Sequence, residues 1–290
     1  MTFSSKKIRV LIQLFEGEFS PGVSAIDIRD LPVEANIEQV QLPSGGSAVI
    51  KIYGVSKKYM DAITTIQWKT GFIEQKAICI FANEGDGEHL IYSGTITNAV
   101  PCYESAPDVY IRITSCTGAF WNTMGEVPPY SHKGMIPVHL AIAEMCAQYG
   151  VTCKNFGVLK TCNNPRFDQK GLKARLNAAA TQYGIDVTIG DGISAGVNIY
   201  PKNKNLGKTW MFTKQNYIGY PSFNDCGISL KLDKLYYDLD LKDYFEVKGS
   251  EVSAANDIWK VQKYSYNIST KIGGNWTMTI TGQRTGVFNG

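Results

Sequence analysis

The sequence predicts an α+β fold that is mostly β, with one α/β region between two strand-rich regions. Three observations predict it. Short apolar runs separated by turn residues continue to about Thr117, a helical period replaces them between about Phe120 and Tyr200, and strand alternation returns over the last ninety residues. Boundaries near 118 and 202 follow from these changes of period.

The first region reads as strands at Ile8 to Leu14, Val23 to Ile28, Asn36 to Leu42, Ala48 to Tyr53, Lys76 to Phe81, Leu90 to Asn98 and Val109 to Cys116. Turns at Ser20-Pro21-Gly22, Pro43-Ser44-Gly45-Gly46 and Glu84-Gly85-Asp86-Gly87 separate them. In the last of these strands Val109, Ile111 and Ile113 share one face and Tyr110, Arg112 and Thr114 the other, which is the period of a half-buried antiparallel strand. Such a pattern suits a barrel or a sandwich. One helix interrupts the series at about Ser56 to Thr65, with Ser56 placed to cap it and Tyr59, Met60 and Ile63 as its stripe.

In the middle region Pro137 is placed to start a helix and Gly150 to end it, with Val138, Ile142, Met145 and Tyr149 as the buried stripe. A second helix is expected from about Asp168 to Tyr183, stopped by Gly184. Its stripe Leu172, Leu176, Ala179 and Tyr183 repeats the first at an offset of 34. Two copies are too few for a helical solenoid, so the pair predicts a small α/β unit. Ile185 to Ile189 and Gly196 to Tyr200, joined through Gly190-Asp191-Gly192, read as a hairpin.

The last region predicts strands at Gly227 to Leu232, Tyr244 to Lys248, Ile258 to Ile268 and Trp276 to Gly282. In the final one Trp276, Met278 and Ile280 alternate with threonines, and Gly273-Gly274 supplies the turn before it.

Composition narrows function. A net charge of +3 sets up no strong field, so phosphate-driven nucleic-acid binding has no support in composition. Cys79, Cys102, Cys116, Cys146, Cys153, Cys162 and Cys226 are seven and scattered, which predicts free thiols in a protein folded in a reducing cytoplasm. The N-terminal apolar stretch is interrupted by Gln13 and Glu16, so neither a signal peptide nor a membrane span is expected. The sequons at Asn267 and Asn275 are read as chance.

No phosphate loop, nucleophile elbow, His-Glu-x-x-His or Cys-x-x-Cys pair occurs. Any triad or metal site has to use His89, His132 or His139. The best metal set is His139 with Cys146, Cys153 and Cys162, yet His139 and Cys146 stand about 10 Å apart along one helix, too far to share an ion. Two acidic clusters, Glu84, Asp86 and Glu88, and then Asp238, Asp240, Asp243 and Glu246, offer a glycosidase pair or a calcium site against the simpler reading of solvated loops. Trp121, Trp210, Tyr217, Tyr220, Tyr236, Tyr237, Tyr244, Trp259, Tyr264 and Tyr266 suit either a sugar platform or a subunit interface, with core packing the default for about half of them. The expectation is no catalytic, cofactor or metal residue and no enzyme activity.

An ordered series of short motifs carries a family resemblance. Ile50-Lys51-Ile52-Tyr53-Gly54-Val55 precedes the short helix. Gly94-Thr95-Ile96-Thr97-Asn98-Ala99, Ala106-Pro107-Asp108-Val109, Asn164-Pro165-Arg166-Phe167, Ile189-Gly190-Asp191-Gly192, Ile199-Tyr200-Pro201 and Gly219-Tyr220-Pro221-Ser222-Phe223 with Gly227-Ile228 follow. The series, from about residue 45 onward, resembles the baseplate hub proteins of tailed phages in a short form.

The resemblance implies two tube-like antiparallel β-barrel domains, 1–118 and 203–290, with the α/β domain 119–202 between them. It implies a homotrimer whose six barrels adapt a tail tube to a central spike around a channel for the genome. Tail-tube or distal tail, spike and tape-measure proteins are the implied partners, with only transient passage of DNA, no membrane insertion and no cofactor. The implied location is the virion tail baseplate, after assembly in the host cytoplasm. A glycan-binding or glycan-degrading tail protein, or the hub of a bacterial contractile injection system, are the alternatives.

Overall fold

The computed structural model describes residues 6–14, 18–19, 21–64, 76–104, 106–123, 126–190, 195–202, 204–224 and 227–284. The chain is mostly β with few helices, as its alternation predicts. The first region contains β1 (Lys7–Leu14), β2 (Ala25–Ile28), β3 (Val33–Val40), β4 (Ser47–Tyr53), α1 (Lys57–Ile63), β5 (Lys76–Asn83), β6 (His89–Cys102) and β7 (Tyr110–Cys116). Alternation decides which face is buried: Ile8, Val10 and Ile12 of β1, Ala48, Ile50 and Ile52 of β4, and Ile111 and Ile113 of β7 all point into one core.

The β3–β4 turn needs its glycines. Gly45 has a positive φ of 69°, and a Cβ on Gly46 would lie 2.5 Å from Gln39 Oε1. In α1, Met60 and Ile63 are buried, but Tyr59 faces solvent and Ser56 makes no side-chain cap bond. Two expectations are corrected there, because a helix of two turns has a single narrow buried edge. Ser20, Thr65, Asp191, Gly192 and Cys226 lie outside the described residues.

The middle region holds α2 (Ala119–Thr123), β8 (Tyr130–Ser131), β9 (Met135–Pro137), α3 (Val138–Ala147), β10 (Cys153–Asn155), β11 (Thr161–Asn163), β12 (Arg166–Phe167), α4 (Leu172–Tyr183), β13 (Ile185–Gly190) and β14 (Gly196–Pro201). β13 and β14 form the expected antiparallel pair, and β10 adds to β14 in parallel. The 34-residue repeat is a packing repeat: Val138, Ile142, Met145 and Tyr149 meet Leu172, Leu176 and Ala179 in a separate core. Helix α4 begins four residues later than expected, since Gly171 has a φ of 84° that no helix accepts. It ends at Gly184 in the left-handed conformation.

The last region contains β15 (Thr209–Phe212), β16 (Ser222–Asn224), β17 (Gly227–Leu232), β18 (Tyr244–Val247), β19 (Ile258–Ser269) and β20 (Trp276–Arg284). Strands β3 and β19 pair, so the two β regions form one 13-stranded sheet in the order β16-β17-β20-β19-β3-β4-β7-β6-β5-β1-β2, with β18 on β19 and β15 on β18. One hydrophobic core runs beneath both regions. No pairing among the described residues closes either half into a barrel, and β2 and β16 end the path.

The middle unit is fastened to both halves. Lys173 donates to the Ser44 carbonyl, Leu42 N donates to Val187 O at 3.4 Å, and Lys260 of β19 pairs with Asp186 of β13.

Candidate assembly surface

The pairing of the large sheet repeats itself. In the first half the order β3-β4-β7-β6-β5-β1 matches β16-β17-β20-β19-β18-β15 in the second. Each half is a strand hairpin (β3–β4, β16–β17) laid on a second one (β6–β7, β19–β20), with a further strand on the far edge (β5, β18). The β1–β5 pair is antiparallel and the β15–β18 pair parallel, so the outermost strands depart from the repeat.

The two halves meet at β3 and β19, antiparallel from Val40↔Lys263 to Glu34↔Ser269. Side chains reinforce this joint. Lys263 lies 2.7 Å from Glu38, and Val33 and Thr270 exchange bonds of 2.9 Å through Val33 N to Thr270 Oγ1 and Thr270 N to Val33 O. Tyr53 donates to Glu34 at 3.0 Å beneath the Lys271 ammonium, which stands 4.0 Å from its ring. Burial, and then the Glu34 carboxylate, push the Tyr53 phenol up to about 12.

The acidic clusters are spoken for by different partners. Tyr237 donates to Glu84 at 3.1 Å, Asp86 lies 3.4 Å from His89, and Glu88 takes Arg9 at 2.8 Å. Asp238 pairs with Lys208, Asp240 with Lys242 and Glu246 with Lys248. Asp243, expected on a solvated loop, is buried. It accepts from Lys208 N (3.0 Å), Trp210 Nε1 (2.9 Å) and Asp240 N (3.0 Å). It ties the start of β15 to the start of β18, a structural role.

The histidines stand on separate elements. His89 stacks on Tyr237 at 4.1 Å, His132 Nδ1 is 3.7 Å from Glu144, and the Nδ1 of His139 is buried in α3. Cys146 and Cys153 meet as a thiol pair. That bond and burial push the Cys146 thiol up. Cys162 instead donates to Ile136 O at 3.4 Å, Cys79 meets Ser93 Oγ at 3.4 Å, Cys102 contacts Val100 O, and Cys116 is half-buried. Among the described residues no three histidine, cysteine or acidic side chains converge as a metal site.

Of the ten aromatic residues singled out, Tyr217, Tyr244, Trp259 and Tyr266 are buried and Trp121, Trp210, Tyr236, Tyr237 and Tyr264 half-buried; Tyr220 alone is exposed. Trp210, Phe212, Tyr236 and Phe245 pack edge to face at 5.2 to 6.0 Å. Most of the ten rings are thus partly or fully packed inside the fold, the expected default for about half of them. A cavity of about 320 Å³ lies where the three regions meet, bounded by Gln39, Thr117, Asn198, Asp240 and Tyr264. Asp238 and Asp240, its two acids, are the ones held by Lys208 and Lys242.

Sequence reasoning missed two features of this surface. Arg175 in α4 is buried, and its guanidinium donates to the carbonyls of Val127, Pro128 and Gln169 at 2.8 to 3.0 Å. Apolar Ile218, Tyr220 and Phe223 are exposed around β16, and Val100 and Tyr103 at the end of β6. Tyr220 and Phe223 fall in the Gly219-to-Phe223 motif, which entered the sequence reading only as part of the resemblance series.

No protein-family model matches the sequence, and no curated protein matches it. Structures do. The chain is similar to a tail protein from Neisseria meningitidis (TM-score 0.64, 8% identity, 97% of this chain and 97% of that one). It is similar to a 43 kDa tail protein of prophage MuSo2 from Shewanella oneidensis (TM-score 0.58, 9% identity, 96% and 98%). It is also similar to an Escherichia coli component of the type VI secretion system that exhibits structural similarity to the bacteriophage T4 tail proteins gp27 and gp5 (TM-score 0.59, 9% identity, 88% and 73%). The fold is therefore that of phage tail and type VI secretion proteins. The resemblance carried by the motif series is present at the level of fold along nearly the whole chain.

Proposed function

We propose that this chain is a non-enzymatic structural subunit of a tailed-phage baseplate, a hub that joins the tail tube to the central spike. The repeated strand order carries the reading: two equivalent β units in one chain give three copies six equivalent units, which is what an adaptor between six-fold and three-fold symmetry requires. The parts are 1–118 and 203–290 as tube-like barrel domains, completed within a ring, and 119–202 as the α/β domain outside them. The ring leaves a channel for the genome, and its partners are the tube or distal tail protein, the spike and the tape-measure protein. Its place is the virion tail baseplate, reached after assembly in the host cytoplasm.

The similarity to a type VI secretion component favours one second reading, the equivalent hub of a bacterial contractile injection system. The glycan reading has less support, since its acids are paired and its rings packed.

Native mass spectrometry of the purified chain tests the proposal. A species three times the 32.0 kDa chain is expected, with immunogold labelling at the tail tip of virions. A monomer at high concentration, absent from purified tails, overturns it.

A further inference from the structure

The repeat inside the chain points to the contact between chains. Strands β6 and β19 both run past their edge partners. β5 covers β6 from His89 to Thr95, and β18 covers β19 from Ile258 to Lys260. Beyond Lys260 the same edge of β19 carries β3. On the corresponding stretch Val100–Cys102 of β6, no strand is paired opposite β7 among the described residues. In the partner role, β3 is flanked by β4 and β19, whereas among the described residues its counterpart β16 pairs with β17 and stands at the end of the sheet.

The register is fixed by a shared irregularity. Thr97 is the extra residue of a bulge between the pairs Ile96↔Ser115 and Asn98↔Thr114. Gln262 is the extra residue between Val261↔Gly282 and Lys263↔Thr281. Placing Thr97 on Gln262 brings Ala77↔Thr95 onto Tyr244↔Lys260 and Val49↔Thr114 onto Ser229↔Thr281. It also brings Asn36↔Val49 onto Ser222↔Ser229. Ser222 is thus the counterpart of Asn36, and Cys102 that of Asn267.

Inside the chain Asn36 pairs with Asn267, Ile37 with Tyr266 and Glu38 with Ser265. We infer that β16 of one copy adds antiparallel to the end of β6 in the next, with Ser222 opposite Cys102, Phe223 opposite Pro101 and Asn224 opposite Val100. This rests on the proposed ring. Burial favours a second copy of this chain as the occupant. Ile37 and Ile268 are each 1% exposed in the inner joint, while their counterparts Phe223 and Tyr103 are 49% and 51% exposed. The two apolar strand edges that pair with no further strand among the described residues are those that the inner joint closes. Pro101 has no N–H to give, and proline in a strand belongs at an edge of this kind. The contact is heterologous and closes as a ring.

Disulfide trapping tests it. Residues directly opposite on antiparallel strands lie about 4.5–5.5 Å apart at Cα, within disulfide reach. Ser222→Cys therefore faces the native Cys102 of the neighbour. Under copper phenanthroline and air the two thiols lose two protons and two electrons to oxygen and form one S–S bond. The expected result is conversion of most of the protein to a covalent trimer on a non-reducing gel, absent in wild type and abolished by adding Cys102→Ser. Asn224→Cys with Val100→Cys reads the next pair on the same face and guards against misfolding of the first variant. A wild-type trimer in which neither pair cross-links overturns this joint and leaves the ring standing. A monomeric wild-type chain overturns both.

Discussion

The Lys260 ammonium on β19 meets the Asp186 carboxylate on β13 with both side chains about seven-eighths buried, at 14% and 13% exposure. The pair spans the seam between the α/β unit and the joined sheet. Tyr244, in register with Lys260, covers it nearby and has its phenol pushed up by burial and by Asp186. Removing one partner strands the other charge in a poorly hydrated place.

Asp186→Ala is therefore expected to destabilise the fold by about 3 kcal/mol, and the Asp186→Leu, Lys260→Met double variant to recover most of that loss. Guanidinium unfolding of the single and double variants checks this. Equal losses in both would mean that the pair contributes through packing alone.

Asp243 makes a second anchor. Its carboxylate takes three N–H donors, and a Cβ on Gly207 would lie 1.9 Å from Asp243 Oδ1 and 3.1 Å from its Cα. Asp243→Ala leaves those donors without an acceptor and is expected to cost about 3 kcal/mol. Gly207→Ala is expected to force the strand start away from Asp243 by collision. In both, loss of the 2.9 Å bond from Trp210 Nε1 should change tryptophan emission before global unfolding.

Such anchors explain where the sequence was legible. Alternation located β1, β4, β7, β17 and β20 because one face of each lies on a core, and the stripes of α3 and α4 were readable for the same reason. β16 has three exposed residues and so no alternation to read. β15 is placed by Asp243, a residue whose loop-like neighbourhood disguised its burial. The repeat of the two halves has no counterpart in sequence: Thr97 and Gln262 mark the same bulge with different side chains, because a bulge is defined by backbone pairing. Arg175 was missed since most of its hydrogen-bond partners are backbone carbonyls, which any sequence supplies.

Acid should loosen the β1–β2 edge first. Arg9 holds Asp27 through bonds of 2.8 and 3.0 Å, with Arg29 also donating at 3.0 Å, and these hold the carboxyl below its ordinary value of 3.8. A depressed folded value means that the contribution is fully present above about pH 4 and is lost as pH falls through the folded value. A carboxyl NMR titration should show Asp27 titrating below 3.8 in wild type and returning toward it in Arg9→Gln. The stability gap between the two proteins should narrow as pH falls; a gap that is constant down to pH 2 would assign it to the stacking of Arg9 on Phe81, 5.0 Å away.

Phe223 separates assembly from folding. Its ring touches Trp259 at 6.3 Å but is half exposed, so a charge there is carried into water by the free chain. In the proposed contact the same side chain takes the place that Ile37 holds in the inner joint, where nothing charged is hydrated. Phe223→Asp is therefore expected to leave the unfolding midpoint within about 1 kcal/mol of wild type while weakening association by at least 30-fold, about 2 kcal/mol at a buried anchor of an interface. Ile37→Asp, at the equivalent inner position, should instead unfold the chain. Sedimentation velocity beside circular dichroism distinguishes the two: a Phe223→Asp protein that remains trimeric removes this edge from the contact.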